Sequence, residues 1–198
     1  MDTGTVVLIV VVAVVVLLVL WVLLTYNRLV GLRNRIEAAW SQIDVQLRRR
    51  YDLIPNLVEA VKGYAGHERE TLENVVRARQ QAIDAKGITD QAQAENFLTQ
   101  TLRQLFAVAE AYPDLKANQN FLHLQEELTG TESRIAYARQ FYNEQVLQYD
   151  NSLQMFPSNV IAGIFNFQAK PYFEAEEVSR APVRVDFGRG TPPAAPTT

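Results

Sequence analysis

From Val6 to Leu24 the chain carries nineteen consecutive apolar or aromatic residues without a charge, a glycine or a proline. As a helix rising about 1.5 Å per residue, such a run is about 28 Å long and matches the roughly 30 Å hydrocarbon thickness of a bilayer. A cleaved leader peptide needs a basic start and a small-residue cleavage site, whereas the opening MDTGT holds an acid and no Lys or Arg. The run is therefore expected to persist as a transmembrane helix over residues 6–25. Trp21 and Tyr26 stand where an interfacial aromatic belt lies, and Arg28, Arg33 and Arg35 follow at once. The positive-inside bias then predicts a short tail, residues 1–5, outside, one span across the inner (plasma) membrane, and the remaining domain in the cytoplasm.

Nothing interrupts the chain between this run and the polar sequence beyond it, so anchor and first domain helix are expected to be one helix. Leu29, Ile36, Ile43 and Leu57 fall on a seven-residue repeat, with Trp40, Leu47, Ile54 and Val61 in the partner row, a coiled-coil-like seam. Arg50 occupies a seam slot, where a charge is costly unless it is paired or reaches water. Pro55 is expected to kink or restart the helix, and Gly63 and Gly66 to end it.

A second helix is predicted over His67 to Lys86, with Leu72, Val75, Val76 and Ile83 on its apolar face and Gly87 as its stop. A third, capped by Thr89 or Asp90, carries Leu98, Leu102, Leu105, Phe106 and Ala109 until Pro113. The pattern leaves open whether these two form a hairpin or one broken helix. The last helix is the most regular: Phe121, Leu128, Ile135, Tyr142, Tyr149 and Phe156 recur every seventh position, ending before Pro157. The fold class is all-α, an N-terminal transmembrane helix continuous with an antiparallel up-and-down bundle of four helices, or three if the middle pair is one. The bundle spans residues 26–167. An extended C-terminal segment covers residues 168–187, in which APVRVDF alternates like an edge strand, and a Pro-rich disordered tail covers 188–198. Val160, Ile161, Ile164 and Phe165 either cap the bundle, the usual fate of a short apolar segment, or rest on lipid headgroups if the last helix returns toward the membrane.

Four blocks, RRRYDLIPNLVEAVKGYAGHE (Arg48 to Glu68), AVAEAYPDLKANQNF (Ala107 to Phe121), SRIAYARQFYNEQVLQYDN (Ser133 to Asn151) and FPSNVIAGIFNF (Phe156 to Phe167), carry a resemblance in order and separation. Together they resemble the LemA family of bacterial membrane proteins over most of Tyr26 to Phe187. Asp150, where the family commonly has Asn, is a small departure. The resemblance implies a helical bundle on one N-terminal transmembrane helix, with the N-terminus outside and the bundle in the cytoplasm. It implies no reaction, the family having no established enzymatic activity.

The residues themselves point the same way. Without cysteine, disulfides, thiolate nucleophiles and sulfur-ligated metals are excluded, and a net charge of −3 argues against a nucleic-acid partner. His67 and His123 lie in different helices, and GHERE lacks a second histidine one turn away, so no metal site is expected. Neither a phosphate-binding glycine loop nor a serine elbow occurs; GYAG has no strand before it and no Lys after it. No catalytic residue and no cofactor is therefore assigned.

The strongest candidate for a polar interaction site joins Arg50, Asp52, Asn56 and Glu59 to Glu132, Arg139 and Asn143, residues at helical spacing on the first and last helices. Arg50 is expected to be neutralised by Glu132 or Asp52, fixing helix register; the alternative is a site for a small ligand or partner peptide. Tyr137 and Phe141, one turn apart and off the seam, either mark an interface or pack on the C-terminal segment. The interface reading leads to a homo-oligomer, since side-by-side anchoring raises local concentration. The function expected is a non-enzymatic membrane protein offering its bundle as an interaction or assembly platform to an unidentified protein partner. The rival is an outward-facing sensor or envelope scaffold, for which residues 1–5 are too short to carry an output.

Overall fold

In a computed structural model of the chain, residues 2–174 are described. Six helices account for most of them: α1 (Thr3–Lys62), α2 (Arg69–Asp84), α3 (Ile88–Ala109), α4 (Pro113–Lys116), α5 (Gln119–Gln154) and α6 (Ser158–Ile164), and no strand occurs among the described residues. The edge-strand and tail expectations, residues 181–187 and 188–198, lie outside the described residues, as does most of the extended segment.

α1 is a single helix of 60 residues, about 90 Å from end to end. Its first part is exposed from Val6 to Leu20, with Trp21 and Val22 half-buried and Leu23 and Leu24 exposed, and among the described helices it alone is long and apolar enough to cross a membrane. Beyond the run, Leu29, Ile36, Ile43, Leu47, Ile54, Leu57 and Val61 of the two seam rows are buried and Trp40 is half-buried, with Leu32 buried beside them.

The helix does not restart at Pro55. Proline has no N–H to offer the carbonyl four residues back, which here belongs to Tyr51. That carbonyl accepts a hydrogen bond from Arg79 Nε of α2 at 2.7 Å instead. The helix thus passes through Pro55, and the freed acceptor ties α2 to α1.

α2 and α3 are separate helices packed on each other, with α2 also on α1, which resolves the middle of the chain as a hairpin. The turn between them needs Gly87, whose φ of +86° suits a residue without Cβ. Gly87, rather than the side chain of Thr89 or Asp90, stands at the cap of α3. The buried face of α2 is Leu72, Val75, Ala78 and Ala82; Val76 and Ile83 are turned outward. In α2, small alanines allow close approach to α3, and their low hydrophobicity hid them from the apolar count.

α4 is a single turn begun by Pro113, and it precedes the Asn118 cap of α5, whose side chain accepts the Phe121 N–H at 3.1 Å. α5 runs back along α1 for about 54 Å, burying Phe121, Leu128, Ile135, Tyr142, Val146 and Tyr149. It ends at Gln154, so Phe156 leaves the expected row and is 82% exposed. α6 then docks beside Leu29, Trp21, Val22 and Tyr26 of α1, at the end of the apolar run. Residues 167–174 follow as an extended strap that returns along α5 and buries Phe173 against Trp40, ring centroids 5.8 Å apart.

Candidate functional site

A charged cluster sits inside the bundle where α1, α3 and α5 meet. Arg50 is 1% exposed. Its Nη1 meets Glu95 Oε2 of α3 at 2.8 Å, and its Nη2 meets Glu132 Oε1 of α5 at 2.6 Å and Thr99 Oγ1 at 2.9 Å. Glu95, 2% exposed, also accepts hydrogen bonds from the Tyr51 hydroxyl and from Gln91 Nε2, which in turn donates to the Ala82 carbonyl. Each carboxylate oxygen of Glu95 is thereby occupied, the condition under which a buried charge is tolerated.

Burial pushes the Glu95 carboxyl above its usual range, and the adjacent Arg50 guanidinium only partly opposes this. Burial likewise raises the Tyr51 hydroxyl, with the Glu95 charge adding to it, so Tyr51 stays a neutral donor. The cluster is a knot of paired groups in which Arg50 Nε is left without a hydrogen-bond partner among the described residues. It holds one Arg of α1 between an acid of α3 and an acid of α5 and so ties the three helices together.

Of the residues the sequence singled out, the structure brings Arg50 and Glu132 together and separates the rest. Asp52, Asn56 and Glu59 are exposed on α1. At about 100° per residue, Asp52 stands about 200° around the helix from Arg50 and faces away from it. Glu59 pairs with Lys62 at 3.2 Å in the solvent. Arg139 and Asn143 serve the strap. The Asn143 side chain accepts the Phe173 N–H at 2.9 Å and donates to the Phe173 carbonyl at 3.1 Å, reading the backbone as a neighbouring strand does. Arg139 donates to the Glu174 carbonyl and lies over the Phe173 ring at 4.5 Å. Tyr142 donates to the Pro171 carbonyl at 2.8 Å. The one expected constellation is in fact a core knot, a solvated face and a peptide clamp.

Glu95, Gln91 and Thr99 escaped the sequence reading. The signal for Glu95 was present: it stands three and seven positions before Leu98 and Leu102, a charge in an apolar row, as Arg50 is in its own. Two opposite charges that interrupt two core rows are candidates for each other.

Tyr137 and Phe141 line an open groove of about 590 Å³ between α1 and α5, with Val45, Gln42, Ala138 and Arg134. Val45 is 60% and Tyr137 74% exposed. The strap lies on Arg139 and Asn143 and leaves this groove uncovered by the described residues. Among the described residues no three His, Asp or Glu side chains converge as a metal site does.

Comparison with known proteins gives a consistent result. The family model of the LemA family matches residues 39–187. Magnetosome proteins MamQ 1 and MamQ 2 of Paramagnetospirillum magneticum are each 24% identical over 188 residues, covering 82% of this chain and 69% of theirs. Protein LemA of Metamycoplasma hominis is 26% identical over 159 residues, covering 79% of this chain and 72% of its own. None of these names denotes an enzyme.

Proposed function

Given that the chain belongs to the LemA family and carries one helix able to cross a membrane, we propose that it is a single-pass, non-enzymatic anchor that presents a helical bundle for assembly at the cytoplasmic face. The observation that carries this reading is the continuity of α1. One helix leaves the apolar run and becomes the spine of the bundle, so the bundle is held at a fixed height above the membrane. Arg28, Arg33 and Arg35, just past the run, favour the cytoplasm for this side and the outside for the N-terminus.

The surface offered is the groove along Val45, Tyr137 and Phe141, and its occupant is a second copy anchored alongside. Exposed aromatics flanked by polar side chains suit an interface, and two chains confined to one membrane meet at high local concentration. The knot around Arg50 is a register device in this reading, because both terminal nitrogens of the guanidinium are taken by side chains of α3 and α5.

The absence of cysteine makes the test direct. In full-length protein bearing Lys86→Cys, in the exposed α2–α3 turn, a membrane-impermeant thiol reagent is expected to react after lysis only. Labelling in intact cells overturns the orientation and makes the bundle an outward-facing scaffold or sensor. Phe141→Cys is expected to give disulfide-crosslinked dimers in membranes on oxidation, and a chain that stays monomeric overturns the oligomer.

A further inference from the structure

The end of the molecule beside the apolar run has a second apolar surface that the core does not use. From Asn151 to Ala169, nineteen residues pass without a charged side chain, between Asp150 and Lys170. α6 lies within this stretch. Ile161 and Ala162 pin it to α1 at Trp21, Val22, Tyr26 and Leu29, and the Tyr26 ring meets those of Phe165 and Phe167 at 4.8 and 5.7 Å. The other apolar side chains face outward: Phe156 is 82% exposed, Ile164 69%, Met155 62%, Val160 49% and Phe165 48%.

The contacts with α1 set the height of this surface. They fall on the last turn of the apolar run and the first turns beyond it, so α6 is level with the boundary of whatever encloses Val6 to Leu24. We propose that α6 and its flanks form a lipid-binding collar, set into the boundary between headgroups and acyl chains around the emerging helix. A short apolar surface beside interfacial aromatics is what that boundary accepts, and Trp21 and Tyr26 are such aromatics. Arg28 lines the cleft of about 200 Å³ between α1 and the α5–α6 turn, beside Trp21 and Phe156, where a lipid phosphate finds a cation next to an apolar wall. The anchor thus contacts the membrane twice, through the span and through a ring at its exit.

The collar rests on the reading of Val6 to Leu24 as a span, and the experiment separates the two. Three full-length single-cysteine variants, Val14→Cys, Ile164→Cys and Tyr137→Cys, carry an environment-sensitive fluorophore in vesicles of phosphatidylcholine and phosphatidylglycerol. The lipids bear a quencher either near the headgroup or deep in the acyl chain. The label at position 164 is expected to be blue-shifted and quenched more by the shallow than by the deep quencher, several-fold above the label at 137. The label at 14 is expected to respond most to the deep quencher. A label at 164 no more quenched than at 137, with 14 quenched, overturns the collar and leaves the span. An unquenched label at 14 overturns both. Unchanged helical circular dichroism verifies that the exposed substitution at 164 leaves the fold intact.

Discussion

The half of the bundle beyond Arg50 and the half nearer the apolar run solve the same packing problem with different means. Beyond Arg50, α2 and α3 join α1 and α5, and the core is mostly aliphatic and small, Ile54, Leu57 and Val61 against Val75, Ala78, Leu98, Leu102 and Leu105, with the Phe106–Phe121 ring pair at its far end. The α2–α3 turn lies level with Tyr51, as the Tyr51 and Gln91 contacts to Ala82 establish. Below that level α1 has α5, the strap and, beside the apolar run, α6 for company. There the buried side chains grow: Tyr142, Tyr149 and Phe173 are each at most 1% exposed, with Trp40 packed on two of them. A two-helix stem encloses little volume by itself, so large aromatic rings and an added strand-like segment complete one side of it. The other side stays open as the Tyr137–Phe141 groove. Helix number, side-chain size and openness to a partner are thus linked in one molecule.

The sharpest way to break the comparison is at the knot dividing the two halves. Arg50→Met leaves Glu95 buried without its cation and is expected to cost about 3–5 kcal/mol, read from thermal unfolding in detergent micelles. Adding Glu95→Leu is expected to recover most of the loss; a double variant no more stable than the single one refutes Glu95 as the cause. Binding lost at unchanged stability would instead favour a ligand site at the knot. Phe173→Ala is expected to cost about 3 kcal/mol by emptying the strap's pocket. Hydrogen exchange should quicken over the stem parts of α1 and α5 while the α2–α3 hairpin stays protected, and uniform acceleration would erase the distinction between halves.

A smaller effect is expected at the proline. Arg79→Met leaves the Tyr51 carbonyl without its donor, a loss of about 1–2 kcal/mol. Pro55→Ala in the same background supplies a backbone N–H to that carbonyl and should restore stability. The pH dependence is gentler. The folded state holds the Glu95 proton more tightly than the unfolded chain does, because its carboxyl is raised from 4.5. Stability therefore falls as pH rises from the ordinary carboxylate value through the raised one. Glu95→Gln should flatten this component of a melting-temperature titration, and an unchanged profile would assign it elsewhere. Smallest in stability, Tyr137→Ser should fall within about 0.5 kcal/mol of the parent yet lower the yield of crosslinks formed through a cysteine at Val45.

The long helices were legible because their apolar rows recur over many turns, and a pattern repeated from Leu29 to Val61 or from Phe121 to Tyr149 has no other reading. What failed was local and depended on partners elsewhere. Pro55 reads as a break until Arg79 is seen to supply the missing hydrogen bond, and nothing in the neighbourhood of Pro55 announces Arg79. Val76 and Ile83 look like core by hydrophobicity, but alanines hold the close contact in α2. The cation of the knot was legible from its slot in the seam, and one of its two acids was anticipated. The other, Glu95, lies in a helix whose placement the periodicity alone left open. Arg139 and Asn143 looked like half of a binding site because their true partner is backbone, whose groups every residue shares and no side-chain pattern marks.

The unbroken length of α1 also makes the molecule a lever. From Leu24 to Lys62 the helix extends about 57 Å, so if Val6 to Leu24 spans a bilayer as proposed, a tilt of about 10° sweeps its far end through about 10 Å. On the proposed span, and because α1 continues through Pro55 as one helix, a change in membrane thickness that alters the tilt of the apolar run becomes a lateral displacement of the α2–α3 hairpin.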